Sequence, residues 1–424
     1  MKRKSLILLL TGVMACSSWS LAQQKRGLLL KDATIVDGDA FMKPRKGSLL
    51  IKDGVIAGVF IGNDQLPKEV DSVVDCKGKY ITPGLIDGHV HLATGDLSDR
   101  KKAMDGIEKV LANMLRHGIT TVRDMAGDAV TLAAYKRASE WQQIPAPAIF
   151  YAAQFAGPSY FEMVKRPGDI NGNALLGATP WYCSITDTTN IELAIAAAKG
   201  AGVSGIKVYA DLSAAQILAI TKAAHAQGIQ VWSHAAVFPA KPSAVAKAGV
   251  NSMSHSNDLI FEQLAGDTIE IGNAWEQVYK GLKADWAKQD KLLLEMKANG
   301  TFLDATVFHA ENNKMVNAVL ITARAHQLGV KIVAGTDWIY PEENAPVPLL
   351  DELLVLAKKC GMSNSEVLQS VTLNNARVTG LQDRGAVKKG LRADLLLIDG
   401  DPLKDLSFLF SPSLVMKAGK IYKY

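Results

Sequence analysis

Short β-type runs broken by turns occupy both ends of the chain, and between them apolar β runs alternate with helix-like stretches. From Gly27 to about Tyr80 the pattern reads LLLKDATIVDG, GSLLIKDGVIAGVFIG and VDSVVDCKGKYITPG. Asp-Gly at Asp37 and at Asp53 marks turns of the kind that join neighbouring strands. The same texture returns in GAVKKGLRADLLLIDGDPLKDLSFLF and SLVMKAGKIYKY. Two terminal β segments around a different middle predict one small β-sandwich built from residues 23–80 and 382–424. The middle, residues 81–381, holds eight apolar β runs. They are GLIDGHVH at Gly84, GITTVRDM at Gly118, APAIFYAA at Ala146, VSGIKVYA at Val203, GIQVWSH at Gly228, GVNSMSH at Gly249, GTFLDATV at Gly300 and GVKIVAGTD at Gly329. Several follow a helix-like run ending in Gly, such as AAQILAITKAAHAQG and AKQDKLLLEMKANG, where Gly suits a helix C-cap. Repeated alternation at this count predicts an α/β fold, a (β/α)8 TIM-type barrel with the small β-sandwich formed from both chain ends. A doubly wound open sheet is the alternative, but polar residues at many strand ends favour a barrel. The long segments 155–187 and 256–285 are expected to be loops over the strand-end face.

The first 22 residues read as a signal peptide rather than structure. Met1-Lys-Arg-Lys gives a charged start, Ser5 to Ala15 an apolar stretch, and Ser20-Leu-Ala22 a small-residue cleavage site before Gln23. Export to the periplasm or beyond is therefore expected. A second reading competes: Val13-Met-Ala-Cys16 resembles a lipobox, in which Cys16 would carry a lipid anchor. The apolar stretch is shorter than the ~20 residues a membrane-spanning helix needs, and no later segment qualifies. Removing Lys2, Arg3 and Lys4 takes the formal net charge from +5 to +2, so the apparent basicity largely disappears. No Lys/Arg run interleaved with aromatics points to nucleic acid. With 48% hydrophobic and 21% charged residues the chain can bury a large core, which excludes a disordered or fibrous protein. Cys76, Cys183 and Cys360 are widely spaced and form no CxxC pair, so they indicate neither a disulfide framework nor a thiolate zinc site.

His89 and His91 end the first barrel run. Strand side chains alternate, so residues two apart face the same way and both imidazoles can grip one metal. His234, His255 and Asp337 each end another predicted strand, where barrels place catalytic groups. A lone strand histidine is more often a hydrogen-bonded core residue than a ligand; four histidines and an aspartate at strand ends change that balance. His117, His225 and His326 fall on predicted helices and read as surface groups. His309 follows the seventh strand, and loop position is the warrant for its meeting substrate. Lys207 on the fourth strand pairs, on the bland reading, with Asp211 or another carboxylate.

The ordered set ITPGLIDGHVHL, GITTVRDMAG, GIKVYA, VWSHA, SMSH and VAGTDW resembles the successive strand-end motifs of the amidohydrolase superfamily. LRADLLLIDGDP at Leu391 is similar to its C-terminal β segment. The nearest branch in appearance contains imidazolonepropionase-like proteins and metal-dependent Xaa-Pro or Xaa-Arg dipeptidases. The resemblance implies two divalent metal ions, Zn or Mn, with His89, His91 and Asp337 on the first and His234 and His255 on the second. It implies that Lys207 reacts with CO2 to a carbamate bridging both metals. A bridging hydroxide would attack an amide, peptide or cyclic amide bond of a small-molecule substrate, a dipeptide among the candidates. Asp337 would pass the proton to the leaving nitrogen, and Tyr209, two residues beyond Lys207, would donate to the oxyanion or simply pack. A mononuclear deaminase of the same barrel is a competing expectation, but that pattern has Glu three residues after the fifth-strand histidine, where this chain has Val237. A non-catalytic metal-binding or scaffold protein is the third, and it is opposed by six intact matching positions. Trp181, Tyr182, Trp338, Tyr340 and the Glu342-Glu343 pair are expected to shape specificity.

Overall fold

The computed structural model describes residues 27–95, 97–164, 176–266, 281–310, 313–337 and 347–423. The leader and Cys16, together with Trp338, Tyr340, Glu342 and Glu343, lie outside the described residues.

Among the described residues, nine strands belong to the middle of the chain: β6 (Leu85–Val90), β7 (Ile119–Asp124), β8 (Ala148–Ala156), β9 (Tyr182–Ser184), β10 (Gly205–Val208), β11 (Gln230–His234), β12 (Ser252–Ser254), β13 (Phe302–Asp304) and β14 (Ile332–Val333). Eight of them run in the order β14-β13-β12-β11-β10-β8-β7-β6, every neighbour parallel, which is the predicted barrel. The eight apolar runs supply these eight strands. The ninth, β9, pairs beside β8 within the segment expected to be a loop. The segment after β12 begins with a 3-10 turn, Ser256–Gln263, rather than irregular chain. Both expected glycine stops occur. Gly300 caps Trp286–Asn299 in the left-handed region at φ 72°, and Gly228 sits one residue past the cap of Ala214–Ala226 at φ 73°.

The terminal segments form one sheet in the order β17-β16-β15-β5-β1-β2-β3, with β4 beside β1. Its members are β1 (Leu28–Ile35), β2 (Arg45–Lys52), β3 (Val55–Ile61), β4 (Ser72–Asp75), β5 (Tyr80–Pro83), β15 (Leu395–Ile398), β16 (Leu414–Lys417) and β17 (Lys420–Tyr422). Alternation sorts β15 between two cores. Leu395 and Leu397 bury among Leu30, Ile35 and Met416, while Leu396 and Ile398 join the core of the barrel's helical shell. Lys417, fully buried, crosses between the units and donates through Nζ to Ser139 O (2.9 Å) and to the Ser139 hydroxyl (2.5 Å).

The barrel interior is filled rather than hollow. Trp232 packs with Met125, Ala152, Phe302, Val333 and Val378, and its Nε1 donates to Val378 O at 2.9 Å. Closure between β14 and β6 is different in kind. Backbone contact there is sparse: Gly88 N–H donates to Ala334 O (3.0 Å) and Asp337 N–H to His89 O (2.8 Å). Side chains complete it. Asn375, on the helix Leu373–Val378, donates from Nδ2 to both Ile86 O (2.6 Å) and Ala334 O (2.8 Å). Asp87 accepts from Thr336 N–H (3.1 Å) and from the Thr336 hydroxyl (2.8 Å). Position 88 must be glycine, because a Cβ there would overlap the side-chain oxygen Oδ1 of Asn375 and Ala334 O.

Asn375→Ala removes the donor shared by two buried carbonyls on opposite sides of this seam. Unfolding by denaturant should show a loss of about 1–3 kcal/mol, the cost of taking a donor from two buried carbonyls of which Ala334 O keeps its bond from Gly88 N–H. A loss below ~0.5 kcal/mol, no more than an ordinary surface substitution gives, would mean that the seam closes without Asn375.

Candidate metal centre

β6 delivers His89 and, one residue past its end, His91; β14 leads into Asp337. Nε2 of His89 lies 3.3 Å and Nε2 of His91 3.2 Å from the same oxygen, Asp337 Oδ1. All three side chains are buried. The other ring nitrogen of each histidine is already committed. His89 Nδ1 lies 2.8 Å from Asp304 Oδ2 and His91 Nδ1 3.0 Å from Ala126 O, and neither acceptor can donate. Each Nδ1 therefore carries a hydrogen, the tautomer in which the lone pair of a neutral ring lies on Nε2. Burial lowers the His89 pKa to about 4, which keeps that ring neutral near pH 7. Two nitrogen lone pairs and a carboxylate oxygen thus converge, an arrangement that repels itself unless a cation or proton sits among them. Imidazole and carboxylate donors in this set fit a divalent transition metal.

His234 ends β11, and His255 follows β12 in the left-handed region at φ 70°. Their ring centroids are 4.9 Å apart, and His255 stands 5.2 Å from His89, so the four histidines form one continuous cluster. Burial holds His234 and His255 well below the usual histidine value, leaving both neutral. His255 Nδ1 lies 2.9 Å from the Thr306 hydroxyl. Thr306 (φ 43°), Asp337 (φ 53°) and Ala126 (φ 127°) share with His255 a conformation that costs a non-glycine residue ~1–3 kcal/mol. All four sit just past strand ends, at this one face of the barrel.

Lys207, on β10, is wholly buried and donates from Nζ to the Ser254 hydroxyl at 2.6 Å. Burial lowers its pKa to about 7, with Asp304 and Asp337 offsetting part of the effect. The alternative pairing with Asp211 does not form; Asp211 Oδ2 accepts from Ser159 N–H instead. The Tyr209 ring packs 4.4 Å from His234, and its hydroxyl donates to Met125 O at 2.9 Å. Donation to an oxyanion requires that bond to be given up. His309 Nε2 lies 3.3 Å from Asp337 Oδ2, so the loop histidine reaches the site. His117, His225 and His326 are engaged elsewhere, with Asn113 O, Asn251 Oδ1 and Glu366. Tyr182 is buried in β9 beside half-buried Trp181.

Sequence reasoning missed the floor beneath these residues. Asp304 Oδ2 accepts from His89 Nδ1–H, from Arg123 Nη2 (3.0 Å) and from the Ser254 hydroxyl (2.9 Å). Burial opposes its ionisation, but His89 and the Arg123 guanidinium outweigh that and hold the carboxyl well below its usual range. Arg123, fully buried, also donates from Nε to Gly88 O (2.5 Å) and stacks 4.9 Å over Trp232. The available signal was a charge inside an apolar β run: Arg123 in GITTVRDM, Asp304 in GTFLDATV and Asp87 in GLIDGHVH.

A model of the amidohydrolase family matches residues 80–422. An imidazolonepropionase from Deinococcus deserti is 24% identical over 92% of this chain and 93% of its own length. An adenine deaminase from Clostridium perfringens is also 24% identical, over 88% of this chain but 56% of its own. Among solved structures, a Xaa-Pro dipeptidase with bound methionine superposes with a TM-score of 0.72 at 19% identity, covering 94% of this chain and 100% of that one. The A. niger ochratoxinase gives a TM-score of 0.73 at 19% identity, covering 94% and 96%. Among the described residues no helix is long and apolar enough to cross a membrane.

The lowered Lys207 pKa makes folding stability pH-dependent. Between about 7 and the usual lysine value of 10.5, the unfolded chain holds a proton that the folded chain has released. Stability from this residue therefore rises with pH across that window. Lys207→Met, which keeps the apolar bulk, should flatten the rise in denaturant unfolding measured in chelator and CO2-free buffer. Parallel curves for the two proteins would mean that Lys207 keeps an ordinary pKa.

Proposed function

The chain belongs to the amidohydrolase family, and from that premise we propose that it is a metal-dependent hydrolase of an amide, peptide or cyclic amide C–N bond in a small-molecule substrate. The observation that carries this reading is the meeting of three lone pairs, from His89, His91 and Asp337, with both histidine tautomers set by Asp304 and Ala126 O. These three residues would hold one divalent ion, His234 and His255 a second, with Lys207 joining both as a carbamate. Zn or Mn suits such donors. Ions bound there would supply Lewis acidity and lower the pKa of water from its bulk value toward ~7.

The residues supply the rest. Lys207, with its pKa near 7, offers the neutral amine that CO2 requires; the N–C bond forms as one C=O π pair of CO2 moves to oxygen and a nitrogen proton passes to solvent, giving an anion with two oxygens. Asp337 Oδ2, the oxygen not shared with His89 and His91, accepts the proton of the attacking water and returns it to the leaving nitrogen. Tyr209 would serve the oxyanion after releasing Met125 O. Val237 is fully buried among apolar neighbours, so the position three residues after the β11 histidine, where the mononuclear deaminase pattern has Glu, offers no acid, which argues against deamination. The likeness to an imidazolonepropionase and a Xaa-Pro dipeptidase supports a cyclic amide or dipeptide substrate.

Prolonged chelation should abolish hydrolysis, and Zn or Mn should restore it, in a screen of dipeptides, N-acyl amino acids and lactams. Asp337→Asn should fold yet lose turnover by about 10²-fold or more. Full activity in chelated enzyme would end the proposal. The two-metal part rests on Lys207: elemental analysis should find two ions per chain, and Lys207→Ala should lose the ion at His234 and His255. A single ion in wild type, unchanged in Lys207→Ala, makes Lys207 structural. Export with cleavage after Ala22 is also proposed, and the intact mass of native protein decides between Gln23 and a lipidated Cys16 as the first residue.

A further inference from the structure

Asp337 presents its two oxygens to different chemistry. Oδ1 faces the Nε2 atoms of His89 and His91, whereas Oδ2 faces His309 Nε2 at 3.3 Å and, farther off, His255 Nδ1 at 3.8 Å. A carboxylate only accepts, so the His309 contact is attractive when Nε2 carries the hydrogen. His309 is about half exposed, at the mouth of the site, and the proposed ligand set leaves it without a role. What holds it there is a carboxylate on another element. Glu352, on the helix Leu349–Lys358, is fully buried and accepts from Val307 N–H (3.1 Å) and Phe308 N–H (2.6 Å). Those are the two residues immediately before His309. The same loop carries Thr306, the partner of His255. Burial raises the Glu352 pKa to about 8, and a buried carboxyl group without partners is costly in either form, so Glu352 fixes the loop by the bonds it needs for itself.

We propose that Glu352 and His309 form a positioning arm: Glu352 clamps residues 307 and 308, and His309 donates to Asp337 Oδ2 so that Oδ1 stays turned toward His89 and His91. This rests on the proposed metal reading, because the function of a fixed Oδ1 is to complete a metal site. His309 is a positioning residue. Hydrogen-bond partners behind metal ligands commonly account for 10–100-fold in metal affinity, and the arm falls in that class.

The test is zinc affinity, measured on the full chain by competition with a chromophoric chelator. His309→Ala, a change at a half-exposed position, should weaken the tightest zinc site about tenfold while leaving the unfolding midpoint in chelator unchanged. His309→Gln, whose amide can still donate to Oδ2, should recover most of the loss. Glu352→Gln must turn an amide N–H toward one of the two backbone donors, so it should weaken zinc binding too, and adding His309→Ala should weaken it little further. A His309→Ala affinity within about threefold of wild type, or a loss that His309→Gln does not recover, overturns the arm while the metal reading stands. Wild-type protein that takes up no zinc overturns both.

Discussion

The barrel closes between its last and first strands mainly through side chains, and the candidate site straddles that closure. β14 is two residues long, too short to build a ladder against β6. Asn375, Asp87 and Thr336 tie the two strands where backbone pairing is sparse. His89 and His91 come from one side of the seam and Asp337 from the other. The distances among their ligand atoms are therefore set by how the seam is sewn. The Asp337 N–H to His89 O bond is itself one of the stitches, so closing the barrel and assembling the three lone pairs are one event.

Beneath that face lies a buried polar layer that an apolar core would outperform in stability alone. Arg123, Asp304, Ser254 and Lys207 share hydrogen bonds in a row, and His89 hangs from the same Asp304 oxygen that accepts from Arg123 and Ser254. His89 and the Arg123 guanidinium together keep Asp304 ionised against the cost of burial. That ionised carboxylate in turn selects the His89 tautomer, which leaves Nε2 bare toward Asp337. Electrostatics thus runs from the guanidinium stacked on Trp232 to the buried ligand atoms of His89, His91 and Asp337. The left-handed backbone at Ala126, His255, Thr306 and Asp337 is the local conformational cost of bending each chain so that these groups converge.

The barrel was legible because its signals are local. Each strand is an apolar run with a glycine stop before it or a polar residue at its end, and the periodicity of a few residues suffices to mark it. The convergence of His89, His91, His234, His255 and Asp337 on one face follows from the same logic, since the ends of parallel barrel strands share a face. What stayed hidden depends on partners far apart in the chain. His89 meets Asp304 across 215 positions, Asn375 meets Ile86 across 289, and nothing near Glu352 announces that it will serve residues 307 and 308. A buried charge within an apolar run marks that a partner must exist without saying which. Tyr209 illustrates the remaining limit: strand alternation puts it on the face of Lys207, yet its proton goes to Met125 O, a backbone atom invisible to any pattern of side chains.

Lys207 ties these levels together. A lysine at the centre of a barrel is expensive as an ammonium, and the fold gives it a serine hydroxyl rather than a carboxylate as its direct partner. Asp304 lies behind that hydroxyl and is already shared with Arg123 and His89. With no carboxylate of its own, the side chain loses less by releasing its proton than a salt-bridged lysine would, and burial then favours the neutral amine. Had Asp211 been its partner, the ammonium would have been fixed and the nitrogen closed to electrophiles. Placing the carboxylate one hydroxyl away keeps Lys207 anchored in position while leaving its nitrogen lone pair chemically available.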